Sequence, residues 1–363
     1  MRNTIYTLII IIIVCCGCER RIEQVTPNTT LFLFYPWSTN LTHYFENNIR
    51  DFENALSSKE MNTTRIVVFI SQTNSTACCY EIKWAKKRII HDTIAQFDNY
   101  QYEYTSTEGL TKLLNIAKGE KAQQFAMIIG CHGDAWIPAR DLKRSFGGAD
   151  IESRIDITTL RQALENSNLT AEYILFDDCY MSSVEVAFEL RHVCNHIIAS
   201  PAEIMAAGMP YSLIAKDLVN IPNYSAICSK FYDYYANNPS TPYGAIAVTR
   251  CSELDSLANI AKRINRQSTS TTQSLQIYDG YNPHIFYDLG DFMTSMSTND
   301  TLKSEFSAQI KKTVPYKAHT PKVYAYGVGT INIKNYSGIS TSEPSNNTKC
   351  ATWEETSWAK ATN

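Results

Sequence analysis

Two side chains in this chain could together make and break a covalent bond: the thiol of Cys179 and the imidazole of His132. Each follows an apolar run that ends abruptly. FAMIIGCHGDAW (125–136) breaks at His132-Gly133-Asp134, and YILFDDCYMSSVEVAFEL (173–190) breaks at Asp177-Asp178-Cys179 before a helical pattern begins. Short, wholly apolar runs bounded in this way read as buried strands. A thiol near neutral pH is mostly protonated, so a nucleophilic cysteine needs a base or a lowered pKa. His132 would be that base, and as imidazolium it would later protonate a leaving amine. Gly133 lets a substrate backbone come close, and its amide together with that of Cys179 would form an oxyanion hole.

The sequence around the thiol also suggests how it would be tuned. Ser182-Ser183-Val184-Glu185 resembles a capping box with Ser182 as N-cap and Glu185 at N3. Cys179 would then sit just before a helix N-terminus, whose partial positive charge favours a thiolate. Asp178 opposes this, so it must point away or be hydrogen-bonded elsewhere. Other readings of the same residues stay open. Asp177 and Asp178 would serve as caps of the next helix, and Cys131 is a rival nucleophile, although its place inside a strand suits packing better. His132, Asp134, Asp177 and Cys179 could also form a mixed metal set, but no ligand-spacing motif accompanies them. Of the seven histidines, only His132 follows a fully apolar run and carries His-Gly.

These residues need a scaffold, and the pattern supplies one. Buried strands are expected at 31–36, 65–71, 125–131, 172–177, 196–200 and 245–249, with an alternating strand at 78–84. Helices are expected at about 40–56, 107–119, 156–166, 182–193, 210–218, 224–236, 252–266 and 301–312. FYDLGDFM (286–293) reads as strand into helix, and 327–334 as a late strand. Strands alternating with helices, apolar on both faces, predict an α/β fold: three layers, with a mostly parallel central sheet covered by helices on both faces. Segment 137–155, rich in Gly and basic residues, reads as a long exposed loop between the two halves. The Ser/Thr/Asn-rich stretch after about 340 reads as a surface connection, and 353–362 as a short docked helix.

The chain has 363 residues, enough for one large α/β domain or two modest ones. A net charge of −3 without a Lys/Arg stripe gives no reason to expect nucleic acid. At the N-terminus, Arg2 precedes the apolar run Ile5–Val14, too short to cross a bilayer of roughly 30 Å. The run ends in Cys15-Cys16-Gly17-Cys18. This pattern resembles a bacterial lipoprotein signal over 1–17 with Cys18 as the lipidated mature N-terminus. Cys16 is the competing site, and an ordinary secretory signal the competing reading. Residues 18–30 would be a polar tether and 31–363 the folded domain. Eight cysteines remain beyond Cys18, without CxxC or CxxH spacing. One disulfide could form, but a disulfide or zinc scaffold is not expected.

CHGD (131–134) and DDCYMSSVEVAFELR (177–191) closely resemble the clostripain family of cysteine peptidases. The likeness extends to IIASPAEI (197–204), YDLGDF (287–292) and the tryptophan-bearing C-terminus. The resemblance implies a caspase-like sandwich and an endopeptidase with His132 as base and Cys179 as nucleophile. It also implies cleavage after Arg or Lys, with Asp177 setting the preference, and carboxylate–guanidinium pairing agrees with this. It implies a zymogen cut between the two segments. Arg140, Lys143 and Arg144 in the 137–155 loop match that specificity, and self-cleavage is expected after Lys143 or Arg144. No cofactor is required. Calcium serves some members, and Asp141, Asp150, Glu152 and Asp156 are acidic residues here, but no EF-hand loop locates a site. The expected protein is a monomer acting on protein or peptide substrates, anchored by lipid in the bacterial cell envelope. A catalytically silent binding lipoprotein on this scaffold, and a cysteine hydrolase or transpeptidase of other specificity, are the alternatives.

Overall fold

The computed structural model describes residues 29–98, 103–119, 124–137, 145–267 and 274–363. Cys18 and the 1–17 leader lie outside the described residues, as do Arg140, Asp141, Lys143 and Arg144. The strands of the first half are β1 (Thr29–Tyr35), β2 (Thr64–Ser71), β3 (Thr76–Ala85), β4 (Arg88–Asp98) and β5 (Gln124–Gly130). Three two-residue strands follow: β6 (His132–Gly133), β7 (Phe146–Gly147) and β8 (Arg154–Ile155). Then come β9 (Ala171–Asp177), β10 (Cys194–Ala199), β11 (Ala245–Arg250), β12 (Tyr287–Asp288) and β13 (Tyr316–His319). The last are β14 (Lys322–Ala325), β15 (Gly329–Asn332) and β16 (Ser340–Thr341).

Nine of these strands form one sheet in the order β13-β11-β10-β9-β5-β1-β2-β3-β4. Its five central members, β10 to β2, run parallel. Antiparallel pairs extend it at both margins. Period-two alternation sends successive side chains to opposite faces. Leu31, Leu33 and Tyr35 of β1 enter one core with Phe45, Phe52, Ile214 and Phe231. Phe32 and Phe34 enter the other with Leu113, Leu160, Phe188 and Leu257. The helices Thr42–Ala55, Tyr211–Leu218 and Tyr224–Ala236 thus cover one face. The helices Thr107–Lys118, Ile157–Asn166, Val184–Leu190 and Leu254–Asn265 cover the other. This is the expected α/β architecture: a central sheet between two helical layers.

Several expectations need correction. β4 was not anticipated, because most of its side chains are exposed and its turn, Lys86-Lys87, lacks the usual Asn-Gly signature. Both lysines nonetheless take positive φ, 51° and 63°. β13 is a further unanticipated member of the main sheet. The late strand at 327–334 lies outside that sheet, in the hairpin β14–β15. The loop at 137–155 is not exposed throughout: Ser145, Phe146, Ser153 and Ile155 are buried, and β7 and β8 pair there.

The stretch after 340 is not a surface connection either. Ser340, Thr341 and Ser342 are buried, and β16 pairs with β12. Their partner explains both this and the failure of the expected capping box. The helix begins at Val184 with Ser183 as N-cap, not Ser182, and makes no side-chain capping bond. Glu185 is instead committed to the C-terminal segment. Its Oε1 accepts from the Thr341 hydroxyl (2.8 Å), the Ser342 amide (2.9 Å) and Trp353 Nε1 (2.9 Å). A buried carboxylate with three donors is tolerated where an unpaired one would be costly. The docked helix expected within 353–362 is present at Ser357–Thr362, with Trp358 buried edge-on against Phe188.

Candidate active site

β5 and β9 are adjacent and parallel, and their register pairs Gly130 with Asp177. His132 and Cys179 each lie two residues past that pair, so both loops leave the sheet at the same rim. Asp178 fastens one loop to the other. Its carboxylate accepts from the Cys131 amide at 2.6 Å and from the Cys131 thiol at 3.6 Å. Asp178 is therefore hydrogen-bonded elsewhere, as expected, and Cys131 is a buried structural thiol. Gly133 closes the approach: a Cβ at this position would collide with the Cys179 carbonyl and crowd the Asp178 side chain. The His132–Gly133 backbone is braced from outside by β7, which pairs in turn with β8.

The turn carrying Cys179 is held in an unfavourable shape. Tyr180 has φ +65°, a region that costs a non-glycine residue on the order of 1 kcal/mol or more. Its amide donates to the Ala202 carbonyl (3.0 Å), and the Ser182 amide donates to Ser200 (2.9 Å). The Tyr180 ring stacks on Phe286 at 4.4 Å, and its hydroxyl donates to Glu203 at 2.7 Å. The Ile204 amide donates to the Cys179 sulfur at 3.4 Å. Burial nevertheless pushes the thiol well above its ordinary pKa, and the charges of Glu203, Asp134 and Asp178 add to this, the Ile204 amide only partly opposing them. The expected thiolate-favouring helix terminus is absent, because Cys179 stands four residues before the N-cap Ser183. These surroundings favour the thiol over the thiolate.

Cys179 and His132 line one cavity of about 510 Å³ together with Gly133, Asp134, Arg154, Tyr180, Glu203, Tyr281 and Tyr326. His132 Nε2 lies 3.0 Å from Asn40 Oδ1. Asn40 sits in a short 3-10 turn, Thr39–Leu41, that follows β1. Because β1 is the parallel neighbour of β5, the loops after both strands leave at the same rim. Asn40 belongs to no motif in the sequence; its place just after β1, the strand beside β5, is the signal that points to it. Asp134 pairs with Arg154 at 3.3 Å at the cavity wall.

The family model for the clostripain family, Peptidase C11, matches residues 35–356. The chain belongs to this family. It is a cysteine protease. A secreted C11 cysteine protease from Bacteroides thetaiotaomicron, "iotapain", is 40% identical, with a TM-score of 0.90 over 93% of this chain and 100% of that one. A clostripain from Bacteroides thetaiotaomicron ATCC 29148, solved with the peptide inhibitor BTN-VLTK-AOMK, is 46% identical over 60% of this chain and 98% of its own (TM-score 0.59). An inactive zymogen C11 protease from Parabacteroides distasonis is 27% identical over 93% of this chain and 98% of its own (TM-score 0.80). No curated protein matches the chain.

Asp177 of this clostripain-family chain is placed differently from the other site residues. It is buried and does not line the cavity shared by Cys179 and His132. It accepts from the Met209 amide (2.9 Å) and the Tyr211 hydroxyl (3.0 Å), with Asn48 Nδ2 at 3.5 Å. Burial pushes its carboxyl up to about 6, against the lowering effect of the Met209 and Tyr211 bonds. Gly208, with φ +70°, packs so closely on this carboxylate that a Cβ would sit 2.6 Å from Oδ2. His132, Asp134, Asp177 and Cys179 therefore do not converge as a metal set. Among the described residues, no group of three or more His, Cys, Asp or Glu side chains is placed to hold a metal ion. The eight cysteines from Cys78 to Cys350 are unbridged.

Asn40 holds the His132 ring at Nε2 within the cavity that Cys179 shares, so it is expected to act as a positioning residue. Asn40→Ala should lower kcat about tenfold with KM nearly unchanged, and Asn40→Asp, which keeps an acceptor, should recover part of it. Steady-state kinetics on a peptide amide would contradict this role if kcat for Asn40→Ala matches wild type.

Proposed function

We propose that this clostripain-family protease is an endopeptidase that cleaves after Arg or Lys through Cys179 and His132. The observation that carries the reading is the register of Gly130 with Asp177, which places both side chains in one cavity at one sheet rim. His132 takes the Cys179 proton as the sulfur attacks the scissile carbonyl carbon, and the amides of Gly133 and Cys179 stabilise the oxyanion. The same proton then goes to the leaving amine, and water hydrolyses the thioester. Surroundings that favour the thiol leave its proton for this base to remove. Of the acidic residues noted in the sequence, Asp141 lies outside the described residues, and Asp150, Glu152 and Asp156 are not grouped to hold a metal ion.

The preference for basic residues rests on a negative site. Asp177 lies two residues before the nucleophile, and Glu203 and Asp134 line the cavity itself. A relative is solved with an inhibitor whose peptide letters, VLTK, end in lysine. Because Asp177 is covered by the segment around Gly208, a substrate cation must reach past that segment to meet it. Glu203 is the competing selector, since it lines the cavity. A secreted relative agrees with a location outside the cytoplasm, and the Cys18 lipoprotein reading would add an anchor in the cell envelope.

A panel of peptides differing only at the cleaved residue (Arg, Lys, Asp, Asn) tests specificity, with Cys179→Ala as the inactive control. Arg and Lys should lead by at least about a hundredfold. Protonated Asp177 cannot pair with a cation, so the ratio of kcat/KM for the Arg peptide to that for the Asn peptide, from which titration of the His132 base cancels, should rise as pH increases through about 6. Asp177→Asn should abolish that rise and the preference together. If Glu203→Gln does so instead, Glu203 is the selector. Cleavage after Asp, or none at all, would support the alternative hydrolase or a silent binder.

The family's zymogen relative also supports self-cleavage after Lys143 or Arg144. A cut there would leave the flanking pieces joined, because β6 pairs with β7 across it. Intact-mass analysis should show two pieces from wild type and one chain from Cys179→Ala; equal clipping of both would contradict autoprocessing.

A further inference from the structure

Among the described residues, seven large apolar side chains are exposed, and two of them, Tyr326 and Val328, share a single three-residue turn. This turn, Tyr326-Gly327-Val328, joins β14 to β15. Gly327 and Gly329 both have φ near +87°, a conformation that favours glycine, so the sequence itself sets the shape of the tip. The tip overhangs the catalytic cavity, which Tyr326 and Gly327 line alongside Cys179 and His132.

The tip is fastened in place. The Tyr326 amide donates to Glu203 Oε1 at 2.6 Å. The same oxygen accepts from the hydroxyl of Tyr180, the residue directly after the nucleophile. Beneath, Gly280 packs against Tyr326 and Val328 so closely that a Cβ there would collide with the Tyr326 carbonyl. Yet Tyr326 is 79% and Val328 57% exposed. Tyr326, which lines the cavity, and Val328 beside it thus form an exposed apolar pair, held in place, at the cavity's edge.

We propose that the Tyr326–Val328 tip is an apolar subsite that grips a non-polar side chain of the peptide substrate, near the residue at the scissile bond. The occupant follows from continuity: Tyr326 and Gly327 line the same cavity as Cys179, so a peptide whose carbonyl lies at Cys179 fills space beside this tip. The inference rests on the peptidase reading and adds a second element of specificity to it. Contact with these two exposed side chains should favour Leu over Ser by about five- to tenfold.

The test uses peptides cleaved at one basic residue, with Leu or Ser placed at each position within three residues on either side. Wild type should prefer Leu at one of these positions by about five- to tenfold in kcat/KM. Tyr326→Ser and Val328→Ser, singly and combined, should bring that ratio towards one, with the change carried in KM. Melting temperatures close to wild type would show that the fold is kept. The inference is overturned if wild type shows no such preference, or if the variants keep the ratio. It is equally overturned if they slow the Leu and Ser peptides alike, as a general structural lesion would. The basic-residue reading can fail separately: the Leu/Ser ratio is then measured at whichever residue wild type cleaves. A wild type that cleaves no peptide contradicts both.

Discussion

The site depends on the parallel pairing of β5 with β9 and on the carboxylate that locks their ends together. Burying Asp178 is costly, and burial pushes its carboxyl well above the usual range. The Cys131 amide at 2.6 Å offsets that cost. In exchange, the loop bearing His132 and the loop bearing Cys179 cannot move independently. Gly133 completes the lock, since any side chain there would collide with the backbone of Cys179. A one-residue slip between these strands would turn every buried side chain to the wrong core, so the two apolar layers and the catalytic register enforce each other.

The electrostatics of the cavity run against the thiolate at Cys179. Burial, Glu203, Asp134 and Asp178 all disfavour the thiolate. In the proposed reaction, the same charges attract an Arg or Lys side chain, whose arrival offsets part of the negative field around the sulfur. Glu203 has a further part: it ties the Tyr180 hydroxyl and the Tyr326 amide to one oxygen, linking the nucleophile's turn to the β14–β15 tip. Substrate charge, nucleophile geometry and the outer rim are coupled through that carboxylate.

Much of this was legible in the sequence, for physical reasons. β5 and β9 are buried on both faces, so each reads as an unbroken apolar run, and the residues just past its end stand at the rim of the sheet. The two-core alternation, the helix ending at Gly119 with φ +62° and the docked Trp358 followed from local pattern. What failed depended on distant partners. Ser340, Thr341 and Ser342 have a surface-like composition, and only Glu185, far away in sequence, explains their burial. That same commitment removed the expected capping box. Asn40 lies 92 residues from His132 and carries no local signature. β4 is an exposed margin strand whose side chains follow solvent rather than a core. Asp177 was placed correctly in the chain, but its cover of Met209, Tyr211 and Gly208 comes from a segment that composition cannot position.

The central claim is that the Cys179 sulfur attacks the substrate and His132 takes its proton. Labelling with an arginine- or lysine-ended peptidyl electrophile, followed by mass mapping of the adduct, tests it most directly. One equivalent should attach at Cys179 in wild type, and His132→Ala should slow labelling by roughly a hundredfold or more. An adduct on Cys131 or any other cysteine, or labelling of His132→Ala at the wild-type rate, would contradict the account.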